Sequence, residues 1–324
     1  MKIFRYISLL ILSITAFRVD GQQLGLVNQY FHNPYVFNPA IAGKSNDLNV
    51  YMSFRKQWLG VENAPVTSYI SATKAFSKKE AVNYMRSGLR VSQPDRYQKI
   101  MEMSVVKFKH GVGGMVIQEK YGIFQKTAAQ LSYALHYKIG KSTYIAAATA
   151  FSTYKLKIRA DKLLLADNND ASFNYLIAQN NNTTFFDLNT GILLYNKELT
   201  VGYSAYELLQ NKIKTGDATN STTPIMHFIM ANYKIKFKNS ISLYPGTLIR
   251  FMNPNPLSWD ANLKIDYMNK FWGGVSFRSD RAISTFLGAK ILKNFQFGYT
   301  YERLTSSLST YSTGSHEVVI GLTF

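Results

Sequence analysis

Five histidines, His32, His110, His136, His227 and His316, are the side chains best suited to proton transfer or metal ligation. No two of them stand at the spacing of an HExxH or comparable metal motif. Cysteine is absent, which removes thiolate metal sites, thiol nucleophiles and a disulfide framework. Ser315-His316-Glu317 holds the atom types of a hydrolase within three residues. Neighbours on a strand point to opposite faces, however, so Ser315 and His316 could not readily share a proton there. Gly111-Val112-Gly113-Gly114 lacks the Lys-Ser/Thr of a phosphate loop and suits a strand kink or close packing instead. The expectation is a protein with no catalytic, cofactor-binding or metal-binding residue.

The elements carrying these residues follow from a period of two. Ala129, Leu131, Tyr133, Leu135 and Tyr137 alternate with Gln130, Ser132, Ala134 and His136. Trp259, Ala261, Leu263, Ile265 and Tyr267 alternate with Asp260, Asn262, Lys264 and Asp266. Phe295, Phe297, Tyr299 and Tyr301 alternate with Gln296, Gly298, Thr300 and Glu302. The last segment sets His316, Val318, Ile320, Leu322 and Phe324 outside and Glu317, Val319, Gly321 and Thr323 inside. Strands of about ten residues with an apolar outer and a polar inner face are those of a membrane barrel.

Tight turns are expected at Gly140-Lys141, Asn196-Lys197, Lys238-Asn239, Asn269-Lys270 and Lys293-Asn294, where residues tolerant of positive φ cluster. Longer polar stretches lie between them, at Lys155 to Phe186, Leu208 to Thr223, Met252 to Leu257 and Leu304 to Ser315. Asp167 to Asp170 and Asn180-Asn181-Asn182 fall in the longest of these. Short turns mark the periplasmic end of outer-membrane barrels and longer loops the external one. The predicted strands are 47–56, 65–76, 111–119, 127–139, 142–155, 187–196, 198–207, 225–237, 240–251, 258–268, 271–279, 282–292, 294–303 and 315–324. The fold class is all-β, a transmembrane antiparallel β-barrel of about 14 strands with both termini periplasmic. Its final Phe324 is read as a barrel-insertion signal.

Composition agrees. Aromatic residues make up 14%, with 22 Tyr and 21 Phe, as suits rings at the two membrane boundaries. Mean hydropathy is only −0.12, because half of each strand faces water. No segment after the leader approaches the roughly 18 apolar residues of a membrane-spanning helix. The leader is predicted at residues 1–21. Lys2 and Arg5 precede a short apolar run, and Val19 and Gly21 precede the cut. Losing Lys2, Arg5, Arg18 and Asp20 with it lowers the net charge from +18 to about +16. For an exported barrel, such a charge favours anionic lipid headgroups or an acidic protein, not nucleic acid.

Two segments fall outside the wall of 47–324. Residues 22–46 contain Pro34 and Pro39, and are expected to lie along the barrel floor or to plug the lumen. Residues 77–110 form a basic insertion on the periplasmic side, either a partner-docking element or a solvated loop.

Particular words then become informative. They are Phe37-Asn38-Pro39-Ala40-Ile41-Ala42-Gly43, Arg55-Lys56-Gln57-Trp58-Leu59-Gly60, Ala64-Pro65-Val66-Thr67-Ser68, Gly111 to Gly114, Glu119-Lys120-Tyr121-Gly122 and Gly314 to Gly321. In this order they resemble the PorP/SprF family of type IX secretion system outer-membrane proteins, over nearly all of the mature chain. The resemblance implies a non-enzymatic barrel of the secretion and gliding machinery. Such a barrel serves either with the periplasmic ring proteins of the translocation apparatus or as dedicated partner of a secreted surface adhesin, or type IX cargo C-terminal domain, that it helps export and anchor. Outer-membrane lipid or lipopolysaccharide is a further expected partner, from the basic charge of an exported barrel and not from the resemblance. The insertion at 77–110 departs from the family, where a short turn is expected.

The motif residues Asn38, Pro39, Ala42, Gly43, Arg55, Gln57, Trp58, Gly60, Pro65, Thr67, Gly113, Gly122, Gly314, His316 and Glu317 are candidates for closing the barrel or touching a partner. Physically, Asn38-Pro39 gives an extended chain and a turn, and Gly43 a bend. Arg55 and Gln57 are expected to satisfy backbone carbonyls near the barrel mouth, and Trp58 to sit in the interface belt. A channel for a small or hydrophobic solute is the competing function.

Overall fold

A computed structural model describes residues 30–76, 108–159, 182–215, 219–237, 240–253, 255–279 and 282–324. The predicted leader, residues 22–29, the body of the basic insertion and the Asp167 to Asp170 segment lie outside these. The wall is built of β1 (Asn49–Lys56), β2 (Val66–Phe76), β3 (Phe108–Tyr121), β4 (Phe124–Lys138), β5 (Tyr144–Ile158), β6 (Asn182–Tyr195) and β7 (Leu199–Tyr206). It continues with β8 (Met226–Tyr233, prolonged by Ile235–Lys236), β9 (Ile241–Met252), β10 (Asn255–Tyr267) and β11 (Phe271–Arg278). The last strands are β12 (Ala282–Lys290), β13 (Phe295–Leu304) and β14 (Ser315–Thr323).

Every strand pairs antiparallel with its chain neighbours, and β14 returns to pair with β1 from Asn49↔Thr323 to Lys56↔His316. The barrel of 14 strands is therefore closed. Closure leaves no unpaired edge, which is the condition for strands to stand in hydrocarbon. On β4, Gln130, Ser132, Ala134 and His136 are buried while Leu131 is 72% exposed. That inversion of a soluble protein's pattern makes the outside the apolar face.

One end, the turn end, gathers the start of β1, the end of β14, the connections 139–143, 196–198, 237–240, 268–270 and 291–294, and the long connection 77–107. The other, the loop end, carries 57–65, 159–181, 207–225 and 305–314. Connection lengths do not alternate as cleanly as predicted. Gly122-Ile123 makes a two-residue turn at the loop end, since β3 and β4 pair as far as Tyr121↔Phe124. The stretch Met252 to Leu257 is mostly strand, because β9 and β10 pair as far as Met252↔Asn255. Phe108, Lys109 and His110, assigned to the insertion by sequence, belong to β3. A small hairpin, Lys212–Thr215 with Thr219–Thr222, occupies the 207–225 connection.

Residues Tyr30 to Gly43 run inside the barrel. Two 3-10 turns, Pro34–Val36 and Pro39–Ile41, compact the segment, each begun by a proline whose missing N–H costs nothing at a helix start. Tyr30, Tyr35, Phe37, Ala40 and Ala42 join wall residues such as Ala134, Ala146, Leu193 and Leu248 in one buried cluster.

Candidate functional site in the barrel lumen

The plug is fastened by polar groups seated in gaps that glycines leave in the wall. Asn38 is wholly buried. Its Oδ1 accepts from Ala40 N at 2.9 Å, capping the second turn, and its Nδ2 donates to Ile192 O at 3.0 Å and Tyr203 O at 3.2 Å. The side chain lies on Gly191 of β6 and Gly202 of β7, where any Cβ would overlap it. Tyr35 lies on Gly113 in the same way, and its hydroxyl is 2.8 Å from Ser132 Oγ, which donates to Gly113 O. At the exit, Gly43 adopts φ 83° and packs on Gly111.

Backbone carbonyls of the plug are satisfied by wall side chains. Ser204 donates to Phe37 O, Tyr206 to Val36 O at 3.2 Å, and His136 Nε2 to Ala42 O at 2.7 Å. Because a carbonyl only accepts, His136 carries its proton on Nε2, and Nδ1 accepts from the Tyr195 hydroxyl at 2.9 Å. The other end of the plug leans on the opposite wall. Asn262 donates to the Tyr30 hydroxyl, the Phe31 and Phe286 rings lie 4.3 Å apart, and His32 packs on Trp272 at 4.5 Å.

Toward the loop end the lumen is charged. Arg55 Nη2 meets Glu302 Oε1 at 2.7 Å, and Arg55 Nη1 lies 3.6 Å from Glu317 Oε2. Arg278 joins Glu302 at 3.1 Å to Asp260 at 3.0 Å, and Asp260 also takes Arg250 at 2.8 Å. The network thus links β1, β9, β10, β11, β13 and β14, with every side chain 5% exposed or less. Opposite charges held this closely offset the cost of removing each from water, which is several kcal/mol per ion. Arg55 was expected to bind carbonyls; it binds carboxylates, and Gln57 Oε1 lies 3.4 Å from its Nη2.

Beside this network, between plug and loop end, is a cavity of about 140 Å³. Val36, Phe37, Met115, Ile117, Met226 and Phe228 give it apolar walls, while Glu119, Lys126 and Glu207 contribute charge. Lys126 Nζ is 2.6 Å from Glu207 Oε1 and 4.4 Å from the centre of the Tyr154 ring.

The motif residues therefore divide. Asn38, Pro39, Ala42, Gly43 and Gly113 meet at the plug, and Arg55, Gln57 and Glu317 at the ionic network. Thr67 is buried on β2. Pro65, Gly60, Gly122 and Gly314 lie in loop-end connections, the glycines with φ of 99°, 55° and 114°. Trp58 stands in such a connection too, at φ 46°, with its backbone N–H donating to Ser315 Oγ at 3.3 Å. His316 faces outward and bonds the Tyr299 hydroxyl at 2.6 Å, while Glu317 faces inward, so Ser315, His316 and Glu317 do not converge. Phe324 continues the β1–β14 ladder through Leu48, with both bonds at 2.9 Å. Gly191, Gly202, Ser204, Tyr195 and Arg278 were not singled out by sequence. Their one local signal is the inward parity of their strands.

A closed antiparallel barrel with an apolar outside, a docked plug and a buried ionic network is an outer-membrane β-barrel protein. Its sequence matches type IX secretion system membrane protein PorP/SprF over residues 19–322, and the chain belongs to that family. No curated protein matches it in sequence. The CymD monoaromatic hydrocarbon channel is similar in fold, with a TM-score of 0.52 at 10% identity over 94% of each chain. The toluene transporter TbuX of Ralstonia pickettii gives 0.48 at 9% identity, over 89% of this chain and 92% of that one. Outer membrane protein Omp33 of Acinetobacter baumannii gives 0.45 at 6%, over 86% and 99%.

Proposed function

We propose that this barrel is the outer-membrane partner of a secreted cell-surface adhesin, serving its export and its attachment, and that it performs no catalysis. The observation that carries this reading is the filled lumen. A segment tied into the wall by buried hydrogen bonds suits an anchor better than a conduit. In this reading the turn end is periplasmic and the loop end external. The basic connection 77–107, leaving the turn end, offers a surface to periplasmic ring proteins of the secretion system, and the loops engage the cargo C-terminal domain. Where the adhesin is moved along the surface, the same attachment serves gliding.

Affinity purification of the full-length protein from its native outer membrane tests this. Recovery of a large secreted surface protein is the expected result, and recovery of ring proteins alone would shift the role to the core apparatus. Finding neither would overturn the proposal. The cavity beside the plug favours a second reading, passage of a small apolar solute, as in the hydrocarbon channels of similar fold. Uptake of such a solute by liposomes holding the purified barrel would support that reading against the first.

A further inference from the structure

The wall sorts its charges by face. Carboxylates on the strands, Glu119, Asp187, Asp260, Asp266, Glu302 and Glu317, all occupy lumen-facing positions. At the loop end the outward positions carry cations instead: Lys56, Lys120, Lys155, Lys157 and Arg303. The strand register sets most of these in one row. Tyr301 pairs with His316, His316 with Lys56, Lys56 with Val66, Val66 with Lys120, Lys120 with Gln125 and Gln125 with Lys157.

Lys56, Lys120 and Lys157 thus recur on every second strand, about 10 Å apart around the rim. Nearer the turn end, the outward positions of the same strands are mostly apolar, with Phe54, Ile70, Val116, Leu131 and Phe151 all exposed. The cations therefore stand at the height where an acyl layer gives way to headgroups. None of the five is ion-paired among the described residues. The rest of this rim differs. From β6 to β11 it presents Phe186, the stack of Tyr203, His227 and Phe251, and the pair Trp259 and Phe277.

We propose that the basic arc from β13 to β5 binds the phosphates of a phosphorylated disaccharide lipid, the lipid A class, in the leaflet at the loop end. The choice of leaflet rests on the orientation proposed above. A headgroup with two phosphates on two sugars can bridge neighbouring lysines about 10 Å apart, whereas a single glycerophosphate meets one of them.

The test uses the full-length barrel in neutral detergent, with bisphosphorylated lipid A, its dephosphorylated form and phosphatidylglycerol as probes, and native mass spectrometry as the readout. Bisphosphorylated lipid A is expected to bind at least roughly tenfold tighter than the other two. The combined substitution Lys56→Gln, Lys120→Gln and Lys157→Gln is expected to weaken it roughly tenfold to a hundredfold. Arginine at the same three positions retains binding, as does Lys74→Gln, which removes an outward charge near the turn end. Unchanged binding by the glutamine variant, or equal binding of the dephosphorylated lipid, overturns the site. Equal binding of phosphatidylglycerol overturns the lipid class. Micelles have no leaflets, so this readout is independent of orientation, which labelling of a cysteine placed at Ser306 on intact cells decides separately.

Discussion

Gly43 and Gly111 meet backbone to backbone inside the barrel. A Cβ on Gly43 would stand 2.5 Å from Gly111 Cα, and one on Gly111 would overlap the Ala42 carbonyl. The plug leaves the wall at a point where neither partner can carry a side chain. Gly111→Ala should therefore push the plug from its seat, at a cost of about 1–3 kcal/mol typical of overpacked interiors. Single-channel recording should show added conductance, and denaturant unfolding in micelles a lowered midpoint. Gly114→Ala is the control, because its Cβ would make only ordinary contacts, with the outward Leu131 side chain at 3.4 Å and Gln130 O at 3.8 Å. Wild-type behaviour of Gly111→Ala would remove the close approach as a constraint.

Asn38 makes a different demand on the wall. Its amide donates to two strand carbonyls and accepts from its own turn. Asn38→Ala loses all three bonds, at about 1 kcal/mol each, and leaves a gap over Gly191 and Gly202. Asn38→Asp is expected to be worse, since it sets a carboxylate oxygen against two carbonyl oxygens. Unfolding midpoints should fall in the order wild type, alanine, aspartate. The reverse order of the two variants would mean that the turn cap, which aspartate keeps, outweighs the contacts with the wall.

The wall was readable from sequence because lipid and lumen impose opposite chemistry on alternate residues. The parity of Leu131 and Gln130, or of Val318 and Glu317, needs no partner strand to be seen. Strand ends were less visible. Predicted from hydropathy, β3 stops at residue 119 and β4 starts at 127, yet the ladder runs on to Tyr121 and Phe124. Pairing with a neighbour sets these ends, and it continues through polar residues such as Lys120, Gln125 and Lys126. The seat of the plug was hidden for the same kind of reason. Pro34, Pro39 and Gly43 showed that the segment is not a strand, but Asn38 docks on Gly191 and Gly202, far along the chain. A glycine that leaves room has no local signature distinguishing it from one that makes a turn. Inward acids and bases could be placed on the lumen side, yet nothing local couples Arg55 to Glu302.

Lys44 gives the plug a pH dependence. Burial, with a smaller contribution from the Lys109 ammonium, pushes its pKa down to about 8 from the ordinary lysine value. Its Nζ donates to Thr200 Oγ1 at 2.6 Å. Between about 8 and the ordinary value near 10.4, the unfolded chain binds more protons than the folded one, so stability rises with pH across that window. Below about 8 the penalty for the partly buried cation is fully present. Unfolding midpoints measured from pH 7 to 10 should climb less steeply in Lys44→Met than in wild type. Parallel profiles would show that Lys44 does not titrate in the docked plug.

Glu302, like Asp260, holds two arginines of the ionic network, and it separates buried from exposed ion pairs. Its two oxygens meet Arg55 at 2.7 Å and Arg278 at 3.1 Å, and Ser284 Oγ donates at 3.2 Å, with the side chain 2% exposed. Glu302→Gln removes the charge but little volume, leaving two guanidinium groups with less compensation inside a wall surrounded by hydrocarbon. Breaking a buried pair in this way costs about 3–5 kcal/mol. The Lys236–Glu198 pair provides the comparison. Its atoms are 4.0 Å apart and its side chains 59% and 41% exposed, so Lys236→Gln should cost less than about 1 kcal/mol. Denaturant unfolding of both variants in the same micelles gives the two numbers directly. Equal small losses would mean that water or the loops compensate Arg55 and Arg278, and that the network does not brace this half of the lumen.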